Sequence, residues 1–308
     1  MGPKAPSGMF ESFFRHDGWD IGLIRASLSS LLTSGIPSVT WLRLADRRAF
    51  AADPFLVEEG GTLYCFFELL PYATNRGKIT YAIIDGADGA AITIHDAIVR
   101  PYHLSYPFLL RHEGEVLCIP EAHASGRITA YAARHFPDGW YEKHVLIEGF
   151  PGVDSTIFQH EGRWWMLATD ARAGWNSELH LWYADELFGH WRPHVGNPVK
   201  RDLAGSRPAG RPFVIDDRLY RPAQDCTTRY GHRLIINEIL EMSPERFSER
   251  SVSIIEPDPG GPYPHGLHTA NASRDLIAVD GNKLHFVPEQ AARAVVRQYS
   301  RVNQASNR

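Results

Sequence analysis

The sequence predicts an all-β protein folded as a single five-bladed β-propeller, and three observations carry that prediction. A strand, turn, strand unit recurs five times at a spacing of about 40–50 residues, which is the period of propeller blades. Gly-bearing or acidic turns join short runs of β-type alternation, and these are hairpin signals. Helical periodicity is confined to short pieces at 28–32, 185–188 and 289–299.

The first unit opens at Ala52-Asp53-Pro54-Phe55, turns at Gly60-Gly61, returns through 62–68 to Glu68, and continues with a third strand at 78–85. The second opens at Ser105-Tyr106-Pro107-Phe108, turns at Glu113-Gly114 and ends at Glu121, and a third strand follows Ser125-Gly126. Val153-Asp154-Ser155-Thr156 starts the third, which turns at Glu161-Gly162 and reaches Asp170 before a longer excursion at 171–177 and a strand at 178–183. The fourth starts at Gly210-Arg211-Pro212-Phe213, turns at Asp216-Asp217, reaches Gln224-Asp225, and resumes after Tyr230-Gly231. Gly266-Leu267-His268-Thr269 begins the fifth, with its next strand expected at Leu284-His285-Phe286-Val287. The strand at 19–24 is expected to close the ring by joining the last blade, which would remove an exposed sheet edge. The expected organisation is a disordered 1–9, a propeller domain at 10–290 and a tail at 291–308.

Composition narrows the function. Of the 308 residues 44% are hydrophobic, enough for a substantial core, and 8 Trp and 12 Tyr suit a protein that also shows aromatic surface to a ligand. A net charge of −4 with dispersed basic residues argues against a nucleic-acid partner. Cys65, Cys118 and Cys226 have no metal-ligand spacing and read as reduced, buried thiols. Residues 1–8 lack the apolar core of a secretory signal and no run is long enough for a membrane span, so a cytoplasmic protein is expected.

In a propeller the innermost strands line a central channel, and the loops beside them converge at one mouth. The repeat superposes Asp53, Tyr106, Asp154, Arg211 or Gly210, and His268 as a ring at the axis. A second ring comes from the ends of the second strands: Glu68, Glu121, Asp170, Gln224 and Asp225. Carboxylates gathered at one mouth repel one another, which raises some pKa values and leaves other groups ionised. Glycosidic-bond cleavage needs that division between a proton donor and a base or nucleophile. An Asp before Pro also caps turns, so a structural role for Asp53 stands beside the catalytic one.

His265 and His268 are candidates for a metal ligand or proton shuttle. No carboxylate stands at metal-ligand spacing beside them, so no resident metal is assigned, and a water or hard cation on the axis near His268 is the better expectation. Arg207 and Arg221 could grip an anionic group by a bidentate fork or neutralise the acidic ring. Trp175 offers a stacking face for a sugar. Trp164 and Trp165, adjacent in a strand, must face opposite sides.

These residues also carry a family resemblance. Trp19-Asp20-Ile21-Gly22, Ala52-Asp53-Pro54-Phe55, Asp154-Ser155-Thr156, Glu178-Leu179-His180-Leu181, Trp191 through Asn197-Pro198, Arg207-Pro208-Ala209-Gly210, Arg221-Pro222-Ala223-Gln224-Asp225 with Tyr230-Gly231, and Gly266-Leu267-His268-Thr269 occur in this order. Together they resemble the N-terminal domain of plant glucosamine inositolphosphorylceramide transferases and its stand-alone bacterial relatives. That domain is similar in turn to the five-bladed propellers of glycoside hydrolase families forty-three and thirty-two. The resemblance implies three carboxylates around the axis: a base or nucleophile in the first blade, an Asp that tunes pKa, and a Glu general acid. Asp53 matches the first by motif. Asp154 and Glu121 are candidates for the others, although Glu121 precedes Asp154 in the chain, and Glu68 competes for the acid role. Arg207, Arg221, Gln224 and His268 would orient the substrate, with Asp170, Trp175, Glu178, Asp225 and His265 as further contacts. The glycosyltransferase domain of the plant proteins lies outside the resemblance, so transferase activity is not implied. The expected function is a carbohydrate-active enzyme acting on a sugar or glycoconjugate. The alternatives are a small-molecule tailoring enzyme and a non-catalytic sugar-binding propeller.

Overall fold

The computed structural model describes residues 16–33, 38–44, 48–84 and 91–288. Five antiparallel sheets form the blades of a five-bladed β-propeller. Blade I runs through Ala49–Glu59, Thr62–Pro71, Lys78–Ile83 and Ile94–Ile98, and blade II through Ser105–His112, Glu115–Glu121, Arg127–His135 and Asp138–Glu148. Blade III comprises Gly152–His160, Arg163–Asp170 and Glu178–Ala184, with a fourth edge reduced to the pairs Arg192–Pro193 and Lys200–Arg201. Blade IV comprises Ala204–Pro208, Arg218–Asp225, Arg233–Met242 and Phe247–Ile255, with Phe213–Ile215 beside its second strand. Blade V is assembled from both ends of the described chain: Ala270–Ser273 pairs with Leu276–His285, which pairs with His16–Arg25, which in turn pairs with Thr40–Trp41. The strand expected to close the ring does so over ten consecutive residue pairs, from His16↔His285 to Arg25↔Leu276.

Side-chain alternation builds the core between blades. In blade I, Phe66 packs toward blade II, whereas its neighbours Cys65 and Phe67 pack toward blade V. Both faces are covered, so Tyr64-Cys65-Phe66-Phe67 reads as a continuous apolar run. In blade III, Trp164 faces blade II and Trp165 faces blade IV, as the strand period requires. Each fully buried side chain of this kind contributes about 1.5–3 kcal/mol. All three cysteines are free and buried, and burial pushes the Cys65 and Cys118 thiols up, away from reactivity. Among the described residues no helix is long and apolar enough to cross a membrane.

The structure corrects three local expectations. The second strand of blade V is Leu276–His285, not 284–287. Its hairpin turn is made at Arg274, a non-glycine residue with φ of 55°, while Asp280-Gly281-Asn282, a turn-like string, lies in mid-strand. Residues 185–188 form bends and turns, whereas Leu28–Leu32 is helical, as a 3-10 turn, and a second 3-10 turn stands at His123–Ser125. Arg211 and Gly210 do not occupy the fourth ring position: Arg207 does. The reason is a wider bulge, in which three residues intervene between the pairs Ala204↔Asp225 and Pro208↔Ala223, with Gly205 at φ 104°. The side chain of Arg211 lies elsewhere, donating to the Leu109 carbonyl and packing over Phe108. The segments at 1–9 and 289–299 and the expected tail lie outside the described residues.

Candidate active site

Three successive inner strands break their ladder at the same point. The register shifts between Ala52 and Phe55, between Ser105 and Phe108, and between Val153 and Thr156. At each break a non-glycine residue takes the left-handed region: Asp53 at φ 56°, Tyr106 at 43° and Asp154 at 52°. Such bulges re-aim a side chain out of the sheet, and left-handed backbone at non-glycine residues concentrates at functional positions. Here they turn Asp53, Tyr106 and Asp154 inward.

The resulting mouth is a cavity of about 390 Å³ lined by Phe50, Asp53, Glu68, Leu70, His103, Ser105, Glu121, His123, Trp175, Asn176, Arg207 and Tyr230. Arg207 stands at its centre. Its Nε lies 2.6 Å from Asp154 Oδ2, its Nη1 donates to Asn176 Oδ1 at 3.0 Å, and its Nη2 is 3.8 Å from Glu121 Oε2. Tyr230 covers the guanidinium plane at 4.8 Å. Burial opposes the charge of Arg207, but Asp154 and Glu121 more than offset it and hold the guanidinium protonated. Asp154 is itself buried behind Arg207 and also accepts from Gln224 Nε2 at 3.1 Å, so these two sequence candidates form the floor beneath the cavity rather than its wall.

The two competing glutamates differ sharply in surroundings. Glu68 is raised well above the usual carboxylate range, first by burial and then by Asp53, Glu121 and Asp154. Its neighbour His103 accepts the Gly77 N–H at Nδ1 (3.0 Å), which leaves Nε2 to carry the proton, 3.3 Å from Glu68 Oε1. Burial lowers the His103 pKa, so this imidazole is the neutral partner of a neutral acid. Burial acts on Glu121 as well, but His123 at 2.7 Å and Arg207 overcome it and hold Glu121 below its ordinary value. One mouth therefore holds a carboxyl kept protonated and a carboxylate kept ionised.

Gly77 makes the Glu68 placement possible. A Cβ there would sit 2.2 Å from Glu68 Oε1 and 2.5 Å from the Leu104 carbonyl oxygen. Gly77→Ala is accordingly expected to cost about 1–3 kcal/mol as an overpacking substitution. Urea unfolding at neutral pH checks this; an unchanged midpoint would show that the carboxyl can move aside freely.

Asp53 lines the cavity while its carboxylate accepts the Tyr106 N–H at 3.1 Å and the Thr269 hydroxyl at 2.8 Å. Burial raises its pKa, opposed chiefly by His268, whose Nε2 is 3.6 Å from Asp53 Oδ1. His268 is stacked under Trp19 with ring centroids 3.9 Å apart, and Tyr230 meets it edge-on. On its other side His268 Nδ1 lies 2.6 Å from Asp280 Oδ2. The ligand-type atoms of Asp53, His268 and Asp280 fall within 4.8 Å of one another. The two carboxylates also accept the Thr269 hydroxyl and the backbone N–H groups of Tyr106, His268, Thr269 and Asp53.

Apart from Trp175, the remaining sequence candidates lie away from the cavity. Asp170 is bound by Arg172 two residues on, and Asp225 by Arg233 and Thr227, so both turn back into their own blades. Glu178 pairs with Arg201, and Arg221 is buried in blade IV against Glu249 at 2.5 Å. His265 is outside the lining, its N–H donating to the Asn282 carbonyl. Trp175 is at the rim, nearly half exposed, with its ring edge-on to His123 at 4.8 Å. Sequence reasoning passed over His103, His123, Asn176 and Asp280. The first two were findable, since each stands within three residues of a ring position, at His103-Leu104-Ser105-Tyr106 and Glu121-Ala122-His123.

The chain is thus a five-bladed propeller of the architecture found in glycoside hydrolases. It superposes on a family 117 glycoside hydrolase from Zobellia galactanivorans with a TM-score of 0.54 at 14% identity, covering 88% of this chain and 91% of that one. It also superposes on an α-L-arabinofuranosidase from Podospora anserina with a TM-score of 0.54 at 10% identity, covering 78% and 92%. At such identities the likeness establishes the fold. The chain belongs to the family described as glucosamine inositolphosphorylceramide transferase 1, N-terminal, which matches residues 37–260. Glucosamine inositolphosphorylceramide transferase 1 of Arabidopsis thaliana is 36% identical over 242 residues, covering 76% of this chain and 30% of that protein. Its counterpart from Oryza sativa subsp. japonica is 34% identical over 248 residues, covering 78% and 31%. The chain therefore spans less than a third of the length of these relatives.

Proposed function

We propose that the mouth binds a sugar or glycoconjugate and acts on a glycosidic or related acetal bond by paired carboxylates. The observation that carries this reading is the division of charge within one cavity: Glu68 kept protonated and Glu121 kept ionised, with Asp53 beside the His268 imidazole. Glu68 is the better proton donor of the two glutamates, since it combines a raised pKa with exposure to the cavity, whereas Glu121 serves to hold His123 and Arg207. Asp53 acts either as nucleophile on the sugar carbon or as the base that takes a proton from the attacking water, while the Glu68 proton goes to the leaving oxygen. Trp175 and Tyr230 supply aromatic surface, and Asn176 and Ser105 polar contacts. The names of the relatives support a hexosamine-bearing glycolipid as one substrate to try. Their transferase activity belongs to proteins much longer than this chain.

Incubation with a panel of glycosides and glycolipids, followed by product analysis, tests the reading. Free sugar or a rearranged product is expected from the wild type, with turnover lowered about 10²–10⁴-fold by Glu68→Gln. Ligand recovered unchanged after prolonged incubation would favour a binding propeller instead. Glu68→Gln has a second signature. Because its folded pKa lies above its unfolded one, Glu68 lowers native stability as pH rises from the ordinary carboxylate range through the raised value. The variant should therefore gain thermal stability over the wild type above neutrality and show no gain near pH 4.

A further inference from the structure

Asp280 is the fifth-blade member of the second carboxylate ring. Extending the register from Ala270↔Val279 places it opposite Thr269, as Glu68 stands opposite Ala52 and Glu121 opposite Ser105. It is fully buried, on a strand that pairs directly with the ring-closing strand at Ile21. Its two oxygens collect bonds from separate parts of the ring. Oδ1 accepts the backbone N–H groups of His268 and Thr269, each at 3.0 Å, and Oδ2 accepts the backbone N–H of Asp53 at 3.0 Å. That last bond crosses from blade V to blade I and ends on the residue whose backbone is in the left-handed region. Oδ2 also lies 2.6 Å from His268 Nδ1.

The imidazole thus stands between two carboxylates, with Asp280 at Nδ1 and Asp53 at Nε2. A neutral ring would leave one nitrogen lone pair facing a carboxylate oxygen; a ring protonated on both nitrogens faces each with an N–H. Trp19 fixes the plane of the ring by stacking, Tyr230 closes its edge, and Arg207 is the other charge felt by both His268 and Asp53. The raised pKa of His268, won by the two carboxylates against burial, agrees with this geometry.

We propose that Asp280 is the positioning residue of the mouth: it pins the strained backbone of Asp53 and holds His268 turned and doubly protonated, so that Asp53 meets the substrate as a carboxylate. The role in turnover rests on the reading of Asp53 as the reacting carboxylate; the pinning and the state of His268 do not.

The test is histidine nitrogen NMR on the full chain, with the His268 signals assigned by their loss in His268→Gln. At about pH 7 both ring nitrogens of wild-type His268 are expected to be protonated. In Asp280→Asn the His268 titration should move down by about 1–3 pH units, the effect of losing an opposite charge at contact. On a substrate that the wild type turns over, the same variant should lose kcat with KM changed less than about twofold, the pattern of a lost transition-state interaction. A wild-type His268 carrying one proton at about pH 7 would overturn the proposal, as would an unshifted titration in the variant. Should Asp280→Asn fail to fold, the wild-type spectrum alone decides. The expected NMR pattern in a protein that turns over no glycoside would sink the proposed function and leave the positioning role standing.

Discussion

Asp53→Asn is expected to lower turnover of a cleaved glycoside by about 10³-fold, within the range for removal of a positioned base, while leaving the propeller folded. The local geometry explains the second half. An amide nitrogen in place of Oδ1 can donate to the Thr269 hydroxyl, which reverses its role, and the remaining oxygen still accepts the Tyr106 N–H. Burial also raises the pKa of Asp53, so the neutral amide removes a charge that the folded state disfavours, which offsets part of the lost attraction to His268. Steady-state kinetics with circular dichroism on the same preparation checks both points. Wild-type turnover in a folded Asp53→Asn would take Asp53 out of the chemistry.

Arg207→Met should have the largest effect on stability, about 3–5 kcal/mol at neutral pH, because it strips the buried partner from carboxylates that stay buried. Asp154 loses its contact at 2.6 Å and Glu121 its neighbour at 3.8 Å. The sign of the pH dependence follows from Glu121. In the wild type its folded pKa is depressed, so it contributes stability above the unfolded carboxylate value and loses it as the solution is made acid. Without Arg207 that contribution shrinks, and the gap between wild type and variant should be wide at neutral pH and narrow toward pH 4. Urea unfolding at both pH values checks this. An equal loss at both would show that side-chain packing, rather than charge, is what Arg207 supplies.

Much of the architecture was legible in the chain because a propeller writes its period into the sequence. Glycine turns, two-residue alternation and the recurrence of an acidic or aromatic residue before an apolar pair located four blades and the closing strand. The first-blade ring residue followed from Ala52-Asp53-Pro54-Phe55, and the membership of Glu68 and Glu121 in one mouth followed from the ends of the second strands. Blade V was misplaced because its turn uses Arg274 and its Asp-Gly-Asn string sits in a strand, and with that strand the reading lost Asp280. Arg211 was preferred to Arg207 at the axis because a bulge of one extra residue is invisible to counting.

The chain alone therefore determined the fold class and the blade number, since these depend on local pattern and repetition. Only the tertiary structure decided which carboxylates remain together. Asp170 and Asp225 are withdrawn by arginines a few residues away, whereas Glu68 and Glu121 receive histidines from the mouth and share Arg207 from blade IV. The protonation of a buried acid is set by burial and by the charges facing it across the channel, and those neighbours come from blades far apart in sequence. That is why Ala52-Asp53-Pro54-Phe55 could be singled out from its motif, while the partners of Asp53, namely His268, Thr269 and Asp280, emerge only where blade V closes on blade I.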